Sequence, residues 1–175
     1  AADLPIAPQE LVLKPEFSRF ATATLIAPKG DALARVEPSP GRRWVAQRRI
    51  EGHEVCSWAF AVEGRITAFA AYRPRWRQGK AAAFQMEAFA LPAVRAVSER
   101  IAAATGLTGH LSFDTIVDAQ GMVWPIECNP RAVSGLHLFD AMPQLRDALT
   151  GASVLAEPPP GTLRHLAPAM AMLGL

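Results

Sequence analysis

The chain has 175 residues, half of them hydrophobic, and a formal net charge of only +2. This length and composition predict one globular domain, or two small lobes that share a core. The weak net charge argues against a dedicated nucleic-acid-binding protein. The sequence also lacks the long apolar stretch of a membrane span and the leader pattern of a signal peptide. We therefore expect a cytoplasmic protein that binds neither nucleic acid nor membrane.

Short apolar runs in the first half of the chain predict β-strands. Three of them are Gln9 to Pro15, Ala21 to Pro28 and Arg42 to Ile50. Two further runs meet at Glu63-Gly64 and predict a β-hairpin. The segment "RPRWRQGK", from Arg73 to Lys80, then reads as a basic loop.

The second half of the chain predicts helices as well as strands. A helix begins at Pro92, a residue that suits the first helical position, and ends before Gly106. Residues 109–129 predict a second hairpin, and residues 140–151 a short helix. The proline-rich "EPPPG" reads as a linker or stop before an apolar tail. Strand pairs with interspersed helices predict an α+β fold with antiparallel sheets.

The two cysteines, Cys56 and Cys128, lie far apart and show no metal-binding spacing. Each falls in a different predicted hairpin. In a reducing compartment such residues are small buried hydrophobes, so we expect both to be buried and not bridged to each other.

The stretch "WPIECNPRAVSG" carries Glu127, Asn129 and Arg131 at alternate positions. In a strand, such residues lie on one face. One interpretation is a solvated edge strand with incidental charges. The other is a metal and phosphate site, because Mg²⁺ prefers oxygen ligands and arginine can bind a phosphate or carboxylate with two hydrogen bonds. The apolar approach to the cluster favours the second interpretation.

The turn of this second hairpin decides whether another carboxylate joins the cluster. Residues 118–121, "DAQG", suit a four-residue type I loop. Pairing Val117 with Met122 then places Asp114 opposite Pro125, on the face that carries the carboxylate and the amide of the cluster. A three-residue loop would place Asp114 on the opposite face.

Three segments together resemble the nucleotide-binding core of ATP-grasp enzymes, in the carbamoyl-phosphate-synthetase-like branch. They are "LVLKP", "VAQRRIEGHE" and "FDTIVDAQGMVWPIECNPRAVSG". The last is the most specific, because it is similar to the family's metal-binding hairpin. The resemblance covers residues 11–139 and implies two lobes with antiparallel sheets and a nucleotide cleft between them. It implies a small lobe over residues 1–53, a large lobe with the metal-binding hairpin over 54–151, and a linker and tail over 152–175.

The resemblance implies nucleotide contacts for several residues. Lys14 would contact the α- and β-phosphates, and Glu54 would bind the ribose hydroxyls. The hinge that reads the adenine edge would include Gln47, Arg49 and Ile50. Taken alone, Lys14 is better explained as an ordinary strand-end lysine, extended because a proline follows it. Glu54 also fits an ordinary turn residue.

The resemblance also implies a metal site and a catalytic role. Asp114, Glu127 and Asn129 would hold Mg²⁺, or Mn²⁺, between the β- and γ-phosphates. Arg131, with Lys14, would steady the transferring phosphoryl group or an acyl phosphate. Positioning and charge neutralisation account for most catalysis in such sites.

Two features depart from the family's pattern. The phosphate-covering loop is commonly rich in glycine, whereas "EFSRFATAT" contains none, and Ser18, Arg19 and Thr22 are the candidate substitutes. Family members also carry another nucleotide lysine and an N-terminal domain upstream. The chain opens on "AADLPIAP" without an initiator methionine, which fits methionine removal or a fragment that lacks part of the substrate site.

Three functions compete. The first is a ligase that uses ATP to activate a small-molecule carboxylate for attack by an amine or similar nucleophile. The second is a nucleotide-binding regulatory module without catalysis, and the third is an interaction domain that uses "RPRWRQGK". In the family this last region lies near the phosphates, which makes Arg73, Arg77 and Lys80 candidate phosphate contacts. The complete Asp-Glu-Asn set favours the ligase, and a homodimer is left open.

Overall fold

The computed structural model describes residues 6–17, 23–77, 83–140, 142–152 and 155–172, except for the side chains of residues 77, 169 and 170. The chain divides into two compact units, Ala1–Ile50 and Glu51–Leu175. Each unit has its own antiparallel sheet, and the helices are few. The predicted α+β class with antiparallel sheets is confirmed.

The first unit contains a three-stranded sheet in the order β2-β1-β3. Its strands are β1 (Leu11–Pro15), β2 (Leu25–Ile26) and β3 (Trp44–Arg48). Two 3-10 helices, Pro8–Glu10 and Gly30–Arg35, complete it. Alternate residues of β1 are buried, as expected for a strand with one covered face.

The second unit is built on a six-stranded sheet in the order β8-β7-β4-β5-β6-β9. The strands are β4 (His53–Val62), β5 (Arg65–Arg77), β6 (Ala83–Ala88), β7 (Gly109–Val117), β8 (Val123–Asn129) and β9 (Leu163–His165). Both predicted hairpins are present, as β4-β5 and β7-β8. Glu63 and Gly64 both have positive φ, 49° and 79°, which fits a two-residue turn between twisted strands.

The predicted basic loop is wrong for residues 73–77, which belong to β5. The physical reason is a pairing with β6, a strand that the sequence did not reveal. Two cations of this segment have partners in β6 or next to it: Arg75 pairs with Glu87, and the Arg73 guanidinium lies 4.5 Å from the centre of the Phe89 ring. Lys80 lies outside the described residues, as does the side chain of Arg77.

Helices cover both faces of the large sheet. On one face, α1 (Pro92–Thr105) buries Val94 against the sheet and ends at Gly106, which has the left-handed φ of 63°. On the other face lie the 3-10 helix Ser134–Phe139 and α2 (Gln144–Leu149). A last helix, α3, spans Ala167–Met172. No helix in the described part of the chain is long and apolar enough to cross a membrane.

The segment around "EPPPG" is hydrogen-bonded to the large sheet. The Phe69 N–H donates to the Ala156 carbonyl at 2.9 Å, and the Gly161 N–H donates to the Ala88 carbonyl at 2.7 Å. Strand β9 then pairs with β6. This part of the chain therefore adds an edge to the sheet.

The two cysteines lie on opposite faces of the large sheet. Cys56 is opposite Asp114 in β7, whereas Cys128 is opposite Phe113, the preceding residue of the same strand. Neighbouring residues of a strand point to opposite faces. The two cysteines form no disulfide, so the prediction that they are not bridged is confirmed. Cys56 is buried as expected, but Cys128 is exposed because it lies on the edge strand β8, so that expectation is wrong for Cys128.

Candidate functional site

The turn of the β7-β8 hairpin is held by the backbone and carboxylate of Asp118. The Asp118 N–H donates to the Met122 carbonyl at 3.1 Å, and Gly121, with φ 79°, donates to the Asp118 carbonyl at 3.0 Å. This is a three-residue loop with a left-handed third residue, so the expected four-residue loop is wrong. The Asp118 carboxylate accepts from the Trp124 Nε1–H at 2.8 Å and from the backbone N–H groups of residues 120 and 122. These bonds, that of Trp124 foremost, lower the pKa of Asp118.

The expected register is also wrong by one residue at the turn. Val117 lies opposite Val123 rather than Met122. A shift of one residue reverses the face on which every later side chain of a strand lies. By itself, this shift would turn Asp114 and Glu127 to opposite faces of the sheet.

A β-bulge at Ile126 restores the shared face. Thr115 is opposite Pro125, and the next pair along the ladder is Asp114 opposite Glu127. Pro125 has no N–H to give to the ladder, and a bulge is where a sheet accommodates such a residue. The extra residue therefore cancels the effect of the shorter loop, and the two carboxylates face each other directly.

The next pair on the same face brings Asn129 opposite Ser112, two residues beyond the Asp114–Glu127 pair. Side chains directly opposite in an antiparallel pair have Cβ atoms roughly 4.5–5.5 Å apart, and like charges in such positions repel. A cation between them would remove the repulsion. The described residues include no cluster of three or more His, Cys, Asp or Glu that could hold a metal ion by themselves. Two carboxylates and an amide oxygen instead fit Mg²⁺, which takes its remaining ligands from phosphate and water.

The backbone around Asn129 fixes the position of Arg131. The Arg131 N–H donates to the Asn129 carbonyl at 2.8 Å, and the Ser112 hydroxyl donates to the Arg131 carbonyl at 2.9 Å. The Arg131 Nη2 donates to the Asn129 Oδ1 at 3.3 Å. The guanidinium is exposed and lies beside the candidate ligands, where it could reach a bound anion.

The row that starts at the two carboxylates continues across the sheet into the core. From Glu127 and Asp114 it passes to Cys56 in β4 and then to Tyr72 in β5. Burial raises the pKa of Tyr72 well above its usual value, and the nearby Cys56 and Asp114 raise it further. Sequence reasoning missed Tyr72 and Cys56 as part of this row, since nothing local to either shows which residues of the neighbouring strands lie opposite it.

Gly135, the last residue of the candidate stretch, is explained by the packing of the core around it. A Cβ on Gly135 would lie 2.7 Å from Tyr72 Cε1 and 2.8 Å from Trp58 Cβ. Both distances are shorter than real Cβ contacts, so only glycine fits here without a shift. The Gly135 N–H also bonds to the Tyr72 phenol oxygen. The chain that follows Arg131 is thus held against the core.

Glu54 occupies the start of β4, on the face that also carries Asp114. It is exposed and lines a cavity of about 450 Å³ together with His53, Arg73, Pro74 and Arg75. Three of these five residues carry a formal charge. The cavity therefore offers charged groups to a ligand with hydroxyl groups or anionic charge.

In the first unit, the sheet brings two of the predicted nucleotide residues onto one face. Lys14 is opposite Val45, and Gln47 is opposite Val12, so Lys14 and Gln47 share a face. Arg49 follows β3, and its N–H donates to the Glu10 carbonyl at 2.6 Å. Ile50 is the next residue. The substitutes proposed for the phosphate loop, Ser18, Arg19 and Thr22, lie outside the described residues.

No protein-family model matches the sequence, and no curated protein matches it significantly. Solved structures do match. One is phosphoribosylamine–glycine ligase from Thermotoga maritima, with a TM-score of 0.62, 12% identity, and coverage of 89% of this chain and 48% of that one. Another is carboxyaminoimidazole ribonucleotide synthase from Aspergillus clavatus complexed with ATP, with a TM-score of 0.59, 13% identity, and coverage of 86% and 44%.

A third match is a putative ATP-grasp superfamily protein from Archaeoglobus fulgidus, with a TM-score of 0.51, 17% identity, and coverage of 83% and 45%. The chain therefore spans less than half the length of each of these proteins. Identities this low establish similarity of fold. The fold of this chain is that of the ATP-grasp proteins.

Proposed function

We propose that this chain binds ATP with Mg²⁺, or Mn²⁺, and forms the nucleotide-binding part of a carboxylate–amine ligase. The observation that carries the proposal is the direct pairing of Asp114 with Glu127 on an ATP-grasp fold. A bound nucleotide in a protein of this fold supports ATP as the ligand. The paired carboxylates would be ligands of Mg²⁺, and the phosphate oxygens of ATP would complete its coordination.

Asp114, Glu127 and Asn129 would hold the metal ion. When bound, the ion neutralises charge on the nucleotide's phosphates and so lowers the barrier to phosphoryl transfer. Arg131 would bind the transferring phosphoryl group or the acyl phosphate with its planar fork of N–H groups. Its tether to Asn129 and Ser112 would keep this fork beside the ligands.

The remaining predicted residues would bind and orient the nucleotide. Lys14 would place a positive charge at the α- and β-phosphates, and Arg19 would contact a phosphate from the loop that follows Lys14 in the sequence. The Glu54 carboxylate would accept hydrogen bonds from the ribose hydroxyls. The hinge residues Gln47, Arg49 and Ile50 would contact the adenine edge, mainly through the backbone.

The reaction would run in two steps. A carboxylate oxygen of the first substrate attacks the γ-phosphorus of ATP, which gives an acyl phosphate and ADP. The nitrogen of the second substrate then attacks the acyl carbon; phosphate leaves, and the amine loses a proton. The name of the phosphoribosylamine–glycine ligase, which joins an amine and an amino acid, supports this substrate class.

A thermal melt of three proteins tests the nucleotide site. The wild type is compared with Glu127→Gln and with Glu37→Gln, a control at an exposed carboxylate of the first unit. Without ligand, Glu127→Gln should melt at or slightly above the wild-type temperature, because repulsion with Asp114 is relieved. With Mg-ATP, the wild type and the control should gain stability by mass action, and Glu127→Gln should gain much less.

Equal gains for all three proteins would refute the metal site at Glu127.

A second assay separates a ligase from a nucleotide-binding module without catalysis. Mg-ATP is mixed with the protein and with pairs of small carboxylates and amines, and ADP release is measured. Release that requires an acid and falls in Glu127→Gln is the result expected of a ligase.

A further inference from the structure

A large groove in the second unit has no role in the nucleotide chemistry proposed above. It opens between the 3-10 helix Ser134–Phe139, α2 and β9, and its volume is about 1020 Å³. That volume is at the upper end of the range for small-molecule sites. All of its described lining residues belong to the second unit.

Most of the groove wall is apolar. The apolar lining residues are Leu136, Phe139, Met142, Pro143, Leu145, Leu149 and Leu166. Several are anchored in the hydrophobic core: Phe139 is buried, and Met142 and Leu145 pack against the same cluster. A wall fixed from behind in this way is preformed, and it can bind an apolar body without first collapsing on itself.

The polar groups of the groove are predominantly cationic or basic. The lining includes two arginines and two histidines but only one carboxylate. The basic residues are Arg146, Arg164, His137 and His165, and the carboxylate is Asp140. Arg146 is largely exposed and pairs with Asp147 at 3.2 Å, so its charge is already compensated. Arg164 is the group that this structure leaves incompletely bonded.

The guanidinium of Arg164 makes a single hydrogen bond in the described part of the chain. Its Nη1 donates to the Leu163 carbonyl at 3.0 Å. Its Nε is buried and has no hydrogen-bond partner among the described residues, because the Asp140 carboxylate is 4.0 Å away. The side chain as a whole is 37% exposed, so its other nitrogens remain accessible to a ligand in the groove.

We propose that this groove binds a small organic acid with an apolar body. The carboxylate accepts charge-assisted hydrogen bonds from the accessible part of the Arg164 guanidinium, whose Nη2 has no hydrogen-bond partner among the described residues. The apolar body lies against the leucine-rich wall, where Met142 and Phe139 also favour an aromatic ring. This proposal does not depend on nucleotide binding at the hairpin.

Isothermal titration of the whole chain, without ATP, tests the proposal with two probes of the same size and opposite charge. The probes are 4-phenylbutyrate and 4-phenylbutylamine. The acid should bind saturably and the amine should not. Arg164→Gln should weaken binding of the acid at least about tenfold, the effect of one charged hydrogen bond. Arg100→Gln, a control on the exposed side of α1, should bind as the wild type does.

Three further variants keep the test decisive. Glu127→Gln should bind 4-phenylbutyrate normally, which separates this site from the proposed nucleotide site. Arg164→Lys keeps the charge but loses the planar fork of N–H groups, so its affinity should fall between wild type and Arg164→Gln. If Arg164→Gln does not fold, Leu149→Glu decides, because Leu149 lines the groove at 36% exposure and a carboxylate there should repel the acid. Equal binding of the two probes, no saturable binding of the acid, or wild-type affinity in Leu149→Glu would overturn the proposal.

Discussion

Gly52 offers the sharpest test of how β4 meets β7. A Cβ built on this residue would lie 2.2 Å from the Val117 carbonyl oxygen and 2.7 Å from Ile116 Cγ2. Real Cβ atoms keep at least 3.0 Å from such neighbours. The obstacle is backbone, held in the sheet by the His53–Val117 pairing, so no side-chain rotation can relieve it. Gly52→Ala must therefore displace a strand end.

Forcing an extra carbon into a close-packed site costs about 1–3 kcal/mol. For a chain of this length, that loss lowers the melting temperature by roughly 2–12 °C. The control is Gly41→Ala, because a Cβ there meets nothing within 4 Å and the backbone is not left-handed. The control should be neutral, or stabilising by up to about 1 kcal/mol through a less flexible unfolded chain. If both variants melt with the wild type in thermal and urea unfolding, the register of β4 on β7 is wrong.

Two further predictions concern the core beneath the candidate site. Gly135→Ala should lower the free energy of unfolding by about 1–3 kcal/mol, because its Cβ would overlap Tyr72 and Trp58; a urea titration measures this, and an unchanged midpoint contradicts the packing. The raised pKa of Tyr72 implies stability that is fully present below the unfolded value, about 10, and is lost as the pH rises through the folded value. The free energy of unfolding should therefore fall more steeply between pH 8 and 11 in the wild type than in Tyr72→Phe. Tyr72 is the only tyrosine, so phenolate absorbance follows its titration directly, and a normal midpoint in the folded protein would contradict the burial argument.

Elements with local signals could be predicted from the sequence. Glu63-Gly64 marks a hairpin turn, while Pro92 and Gly106 mark the two ends of α1. Strands β6 and β9 were missed because their evidence is non-local. Alternation in β6 is weak, and the cations of residues 73–77 gave its partner segment the appearance of a loop. Pairing with a distant segment, rather than composition, makes these residues strands.

The candidate site shows a different limit. The shared face of Asp114 and Glu127 was predicted correctly, although through a wrong register. The loop is one residue shorter than expected, and the bulge at Ile126 adds that residue back. A turn sequence does not fix loop length by one residue, but Pro125 was a visible reason to expect a bulge. The roles of these residues, and of Lys14, stay predictions.

The position of Glu127 depends on a residue outside the candidate site. Strand β8 is an edge strand, bonded in the described part of the sheet to β7 alone. Its start is fixed by Asp118, whose carboxylate accepts from Trp124 and from two backbone N–H groups. Removing that carboxylate should loosen β8 from the turn onward, and with it the spacing between Glu127 and Asp114.

Asp118→Ala should therefore weaken Mg-ATP binding about tenfold, a typical effect of losing a group that orients metal ligands. Asp31→Ala, at an exposed carboxylate of the first unit, serves as the control and should bind Mg-ATP as the wild type does.

The pH dependence of the melting temperature gives an independent test of the same carboxylate. The pKa of Asp118 is lowered in the folded protein. Its contribution to stability is therefore present above the unfolded pKa, about 3.9, and is lost as the pH falls through the folded pKa. Melting temperatures of wild type and Asp118→Ala should thus differ at pH 7 and converge toward pH 3. If the variant binds Mg-ATP normally, and the melting difference is the same at pH 3 as at pH 7, the turn carboxylate does not hold the metal-binding strand in place.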